Sequence, residues 1–360
     1  MDFAFTEDQK GLIGLCRQMF GELCTPEAIA RLERAEQPVF HRELWSRMAE
    51  SELLGLNLKE DVGGLGLGMV EVCLIHEQAG WVTAPLPLTP CLAMGAPAVD
   101  RFGGNELRQA VLPGVIRGEH IICASLDRIG AKQTSDGFVL EGQLDCVAYA
   151  PVATHLVLLA EHGDRTSALC VDLAEVDVQR QTASNEEPLG RVRFSGQSVA
   201  ASAVLGELGS GRDVASFMRD RGLVAQSASI LGMAARALRL TAKYATERRQ
   251  FGRAIGTFQA VGQRAADAFV DVETIRVASW RAAWLLDDDQ PATDEVLVAS
   301  YWAKEAGARV VNAAQHIHGG IGFDRDYPLY RYFLGVKTLE QRLGSATGCL
   351  NDLARRLAGE

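Results

Sequence analysis

The chain has 360 residues, 48% of them hydrophobic and 23% charged, with a formal net charge of −10 at pH 7. That length supports two or three packed units rather than one core. Its acids are spread along the chain, which excludes a surface built for nucleic acid or an anionic membrane.

In chain order, no stretch reaches the roughly 18–20 uninterrupted apolar residues of a membrane span. The start, Met1-Asp2-Phe3-Ala4-Phe5-Thr6-Glu7-Asp8, has neither a basic n-region nor an apolar h-region, so a cytoplasmic protein is expected. Residues 1–118 read mainly as helices, because Ala28, Ile29 and Leu32, then Leu44, Trp45, Met48, Leu53 and Leu54, recur at three- and four-residue steps. A loop from Gly63 to Gly68 precedes an apolar-periodic helix from Val70 to Gly80. Gly64-x-Gly66-x-Gly68 reads as a structural loop rather than a dinucleotide fingerprint, since Leu53 to Leu58 follow a helix and form no clean βαβ unit. From 119 to 208 the period shortens. Phe138-Val139-Leu140, Leu156-Val157-Leu158-Leu159 and Ala168-Leu169-Cys170-Val171 are strand-like runs, separated by turn signals at Asp136-Gly137, Glu141-Gly142 and Gly163-Asp164. A small antiparallel sandwich or barrel is expected there.

After Gly209-Ser210-Gly211, helices are expected over 212–248, 259–287, 292–317 and 329–358. Ala225, Ala228, Gly232 and Ala235 would allow the first of them to pack closely, in a bundle or against another subunit. The eight cysteines contain no CxxC pair and are expected to be reduced, buried small hydrophobes. The seven histidines show no HExxH spacing, so no metal is expected.

Two phrases stand out: Arg248-Arg249-Gln250-Phe251-Gly252 with Phe258-Gln259, and His316-Ile317-His318-Gly319-Gly320-Ile321-Gly322-Phe323. Arginines at a helix end can grip a phosphate through paired, charge-assisted hydrogen bonds, and glycines let backbone approach a planar ligand closely. The first phrase also fits a helix that simply ends in cations and a glycine stop. With Glu60-Asp61-Val62-Gly63-Gly64-Leu65-Gly66-Leu67-Gly68, these segments resemble the acyl-CoA dehydrogenase family, flavoproteins that make an α,β double bond in an acyl-CoA thioester. The resemblance runs through essentially the whole chain. It implies an α+β, mainly α fold: an N-terminal helical domain (1–118), a small antiparallel β domain (119–208) and a C-terminal four-helix bundle (209–360). It also implies FAD, an acyl-CoA substrate and an electron-transfer flavoprotein as acceptor. The cofactor-binding residues it implies are Arg248, Gln250, Phe251, Phe258, Gln259, His316, Gly319 and Gly320. In the family the matching Arg, Phe and Gln reach across a subunit interface to the pyrophosphate and adenosine of a flavin held mainly by the neighbouring subunit. His316 stands where familiar members have Gln, and imidazole can still donate one hydrogen bond.

Elsewhere the chain departs from the family. The Thr-Glu-Pro…Gly-Ser-Asp stretch that approaches flavin and acyl-CoA reads Ala124-Ser125-Leu126-Asp127-Arg128-Ile129-Gly130-Ala131. The aromatic wall and hydroxyl at the flavin ring are replaced by Cys146-Val147-Ala148. Removal of a thioester α-proton needs a desolvated carboxylate, and the family's Glu position, sixteen residues after Tyr-Pro, falls on Leu343-Gly344-Ser345. Glu340, three residues earlier, reads as a solvated helix acid. A second family solution places Glu before Arg in the first bundle helix, where this chain has Asp220-Arg221. Binding phrases kept and catalytic ones lost resemble the non-catalytic-type subunit of heterotetrameric acyl-CoA dehydrogenases of actinobacterial steroid side-chain breakdown. In an α2β2 assembly of that kind a partner subunit supplies the Glu and most of the flavin pocket. Two other readings remain open: a self-sufficient homotetramer using Asp220, and a flavin-free structural subunit that kept only the fold.

Overall fold

The computed structural model describes residues 4–288 and 290–359. Thr6 opens the first helix with a capping box. Its hydroxyl accepts from the Gln9 amide at 3.2 Å, and the Gln9 side chain accepts from the Thr6 amide at 3.0 Å. The N-terminal part then carries α1 (Glu7–Leu23), α2 (Pro26–Glu33), α3 (Arg42–Glu50), α4 (Met69–Val82), α5 (Ala96–Phe102) and α6 (Asn105–Ile116). Between α4 and α5, Leu88–Gly95 winds as a π-helix. The glycine-rich loop follows 3₁₀ turns at Leu53–Gly55 and Glu60–Val62, not a strand, which removes the dinucleotide-fold alternative. Gly64 is needed there because a Cβ would fall on the carbonyl of Leu58.

Strands β1 (Ile122–Gln133), β2 (Gly137–Ala148), β3 (His155–His162), β4 (Arg165–Asp172), β5 (Asp177–Thr182), β6 (Pro188–Ala200) and β7 (Val204–Leu205) form one sheet in the order β5-β6-β2-β1-β3-β4-β7. Its pairings are antiparallel except β1 with β3, which run parallel. β3, flanked on both sides, is buried almost throughout, as its run of Leu and Val requires. Asp136-Gly137 and Gly163-Asp164 fall at strand boundaries as expected. Glu141-Gly142 does not: it lies inside β2, where the register against β6 slips and Gly142 takes φ 129°. The same residue types that make a turn here absorb a β-bulge.

The C-terminal part holds α7 (Gly211–Glu247), a short hairpin of β8 (Arg249–Gln250) and β9 (Arg253–Ala254), α8 (Gln259–Asp287), α9 (Thr293–His318), α10 (Leu329–Gln341) and α11 (Ala346–Ala358). The single helix expected over 329–358 is two helices. The chain breaks at 342–345, where Leu343 (φ 55°) and Gly344 (φ 95°) turn left-handed.

The chain divides into two compact units. One takes the residues up to Ile29, Cys73–Ala84 and everything from Leu223; the other takes Ala30–Val72 and Pro85–Gly222. In the first, Ile230, Ala234 and Ala237 of α7 pack with Val272 and Ile275 of α8, Ala306 and Val310 of α9, and Leu329 and Val336 of α10. Gly232 and Gly80 let α7 and α4 meet backbone to backbone: a Cβ on either would overlap a carbonyl of the other helix. In the second unit the sheet is the core, with Leu140, Leu156, Leu158, Leu169, Val192 and Phe194 buried.

Among the described residues no helix is long and apolar enough to cross a membrane. The cysteines are free, and all are buried except Cys146.

Candidate functional site

α7 ends at Glu247, and the chain turns at once into the β8–β9 hairpin. Arg249 pairs with Ala254 and Gln250 with Arg253, which leaves Phe251 and Gly252 as a two-residue loop. Both have positive φ, 51° and 80°, as a primed hairpin turn demands. Glycine takes that conformation freely, whereas Phe251 takes it at a cost, and its side chain is 91% exposed. The Phe258 ring lies edge-on to it at 6.2 Å, and the Arg253 guanidinium stacks on Phe258 at 4.1 Å. Arg248, Gln250 and Gln259 are exposed and Phe258 is half-buried.

Phe258 is the N-cap of α8 and Gln259 its first residue; no side chain caps this end, and no acid sits in the first turn. The Phe258 and Val261 amides bond the Ile255 and Phe258 carbonyls, which leaves the amides of Gln259 and Ala260 open at an end with positive partial charge. Arg248, Arg249 and Arg253 stand beside it, and none forms an ion pair among the described residues. On a chain of net charge −10 this is a locally cationic, aromatic surface suited to a phosphate attached to a planar group.

The second phrase ends α9. Gly319 closes the helix at φ 64°, ψ −141°, a conformation that L side chains rarely adopt. Gly319 and Gly320 are exposed, with open space over each Cα. His316 is exposed and borders a cleft of about 960 Å³ between α8 and α9, beside Arg264, Asp267 and Arg309. Among the described residues no hydrogen bond or ring contact joins His316, Gly319 or Gly320 directly to the hairpin. The link is Tyr244, one helical turn before Arg248, whose ring stacks on His318 at 4.4 Å and 18°.

His318 was not singled out by the sequence, although its place beside Gly319 was a signal. The Ala314 carbonyl, 2.8 Å from Nδ1, can only accept, so Nδ1 carries the proton and Nε2 accepts from the Tyr327 hydroxyl at 3.0 Å. Burial holds the imidazole pKa below its usual value, which keeps the ring neutral. Tyr244, His318 and Tyr327 thereby fasten the end of α7 to the end of α9.

The candidate bases sit otherwise. Glu340 is paired with Lys337 of its own helix at 2.6 Å. Asp220 is half-buried on α7 between Arg219 and Arg221, whose guanidinium lies 5.0 Å over Phe217. Leu343 occupies the α10–α11 turn, and that turn is held from α9 by Lys304, 1% exposed, whose ammonium donates to the Arg342 carbonyl at 3.1 Å and to the Gly344 carbonyl. Sequence reading missed Lys304, although a lysine in an apolar helix stripe was visible. In the sheet, Cys146 is exposed at φ 56° in a bulge, its amide donating to Gln181 at 2.7 Å. Ala124 to Arg128 form a second irregularity, with Arg128 paired to Glu161 at 3.0 Å.

Comparison with known proteins adds to this geometry. The family description "Acyl-CoA dehydrogenase, N-terminal domain" matches residues 6–119, and "Acyl-CoA dehydrogenase, C-terminal domain" matches residues 209–358. Acyl-CoA dehydrogenase FadE27 of Mycobacterium tuberculosis is 35% identical, with 99% of each chain covered. Among solved structures, a chain of the ChsE4-ChsE5 complex from Mycobacterium tuberculosis superposes with a TM-score of 0.95 at 36% identity over 100% of both chains. A chain of the Tcur3481-Tcur3483 steroid ACAD G363A variant does so with a TM-score of 0.89 at 34% identity, over 98% of this chain and 99% of that one.

Proposed function

The chain belongs to the acyl-CoA dehydrogenase family, and from that premise we propose that it is the non-catalytic-type subunit of a hetero-oligomeric, FAD-dependent acyl-CoA dehydrogenase. The assembly is an α2β2 tetramer that desaturates a steroid side-chain CoA thioester and passes electrons to an electron-transfer flavoprotein. The heteromeric ChsE4-ChsE5 relative and the steroid ACAD relative favour the assembly and the substrate class. FAD, when bound, supplies the hydride acceptor of the desaturation.

One observation carries the reading: the cationic hairpin beside the uncapped start of α8 is exposed, and among the described residues none of its arginines forms an ion pair. Arg248 and its neighbours meet the flavin diphosphate of the adjoining subunit, Phe251 and Phe258 cover apolar ligand surface, and Gln259, Gln250 and His316 donate hydrogen bonds. Gly319 and Gly320 leave room for close approach. With Leu343 at the turn between α10 and α11, a carboxylate of the partner subunit takes the α-proton.

The test is turnover of the reconstituted complex, measured as acyl-CoA oxidation with an artificial acceptor at fixed flavin content. Asp220→Asn and Glu340→Gln, which preserve shape, are expected to leave the rate within a few-fold, whereas loss of a true general base costs roughly 10²–10⁴-fold. A thousandfold drop in Asp220→Asn would place the base in this chain and favour a self-sufficient homotetramer.

A further inference from the structure

A cleft of about 250 Å³ lies within the first unit, bounded by α1, the start of α2, the end of α4, α7 and α10. Its walls carry three guanidinium groups, those of Arg17, Arg236 and Arg331, and no carboxylate among the described residues. Arg17 donates from Nε to the Gln78 amide oxygen at 3.2 Å, a neutral partner that is itself 5% exposed. Arg236 lies 5.3 Å over the Trp81 ring, and the Tyr332 hydroxyl donates to the Trp81 carbonyl at 3.0 Å. Neither Arg17 nor Arg236 forms an ion pair among the described residues. Arg17 is exposed and Arg236 half-buried, and the two cations border one cleft with no acid between them, in an otherwise acidic chain.

The floor of the cleft is apolar, with Phe20, Cys24 and Ile29 buried. Its mouth is opened by Gly21, the last-but-two residue of α1. A glycine inside a helix costs about 1 kcal/mol relative to alanine, and no neighbouring atom excludes a side chain here, since nothing lies within 4 Å of where its Cβ would be. Gly11 and Gly14 of α1 are equally open, so what sets Gly21 apart is its place in the wall of the cleft.

We propose that this cleft binds a small organic anion, a carboxylate or phosphate monoester carried on a compact apolar body. Arg17 and Arg236 take the charge, as guanidinium forks take planar oxyanions. The body lies against Phe20, Cys24 and Ile29. The volume is below the roughly 300–1,000 Å³ of sites for drug-sized ligands, so neither a flavin nor a CoA thioester is the occupant. The site is independent of the flavin-binding hairpin.

Isothermal titration of the full chain tests it with four probes: benzoate, phenyl phosphate, inorganic phosphate and benzyl alcohol. Benzoate or phenyl phosphate is expected to bind one to one, the tighter of the two identifying the anion, and benzyl alcohol and inorganic phosphate more weakly. Arg236→Gln should weaken binding about tenfold to a hundredfold, the loss of one charge-assisted contact. Gly21→Leu, which fills the mouth, should abolish it. Gly14→Leu, on the same helix with equally open space, and Arg248→Ala should leave it unchanged. Circular dichroism of each variant separates loss of the site from loss of fold. The proposal is overturned by no binding of either aromatic anion, by binding that survives Gly21→Leu in a folded protein, or by equal affinity for benzyl alcohol.

Discussion

Arg248→Ala is expected to weaken FAD retention in the hetero-oligomer about tenfold to a hundredfold, the equivalent of one charge-assisted phosphate contact of about 1.5–3 kcal/mol. The side chain is exposed, and its backbone is fixed independently: the amide bonds to the Tyr244 carbonyl at 2.8 Å, and the carbonyl accepts from Ile255 at 2.9 Å. Truncation therefore removes the guanidinium and leaves the hairpin standing. The check is an FAD titration of the apo complex, followed by flavin fluorescence. Arg249 and Arg253 and the α8 amides remain in the variant, so the loss should shrink as salt screens the whole patch. An unchanged affinity would remove Arg248 from the flavin site.

Lys304→Met is expected to destabilise the chain by about 2–5 kcal/mol. The substitution keeps the length of the side chain while removing two charge-assisted hydrogen bonds, to the carbonyls of half-buried Arg342 and exposed Gly344, each worth about 1.5–3 kcal/mol before water replaces part of it. Those two bonds hold Leu343 and Gly344 left-handed and so stop α10 from running on into α11. Urea unfolding followed by circular dichroism measures the loss, and a change within about 0.5 kcal/mol, the range of ordinary surface substitutions, would mean that the turn holds itself. Ser300 and Cys349 contact each other beneath the same turn at 3.3 Å, and Cys349 Sγ lies 3.9 Å from the Lys304 ammonium, so the turn rests on a buried polar set.

Local features were legible in the sequence where the cause is local. The end of α7 near 248 and the start of α8 at Gln259 follow from residues within a few positions of one another, but the β8–β9 hairpin between them was not foreseen. Features with distant causes were not. Gly344-Ser345 beside Leu343 was a local stop-and-cap signal that went unread, and the donor that holds the turn comes from α9, thirty-eight residues before Arg342. Glu141-Gly142 reads as a turn because bulges and turns draw on the same residues, and only the pairing partner β6 decides between them. The Tyr244–His318 stack joins the two binding phrases through residues that neither phrase emphasised. Cys146 was expected inside and lies exposed: it stands at φ 56° where the register of β2 against β6 slips between Leu144 and Val147.

The central claim is that this chain contributes to a flavin site without owning one. Counting flavin absorbance against protein, in the chain alone and in the complex with its partner subunit, tests it most directly. The chain alone should be colourless, and the complex should carry one FAD per two chains. A yellow homo-oligomer with one FAD per chain, or a complex with none, would contradict it.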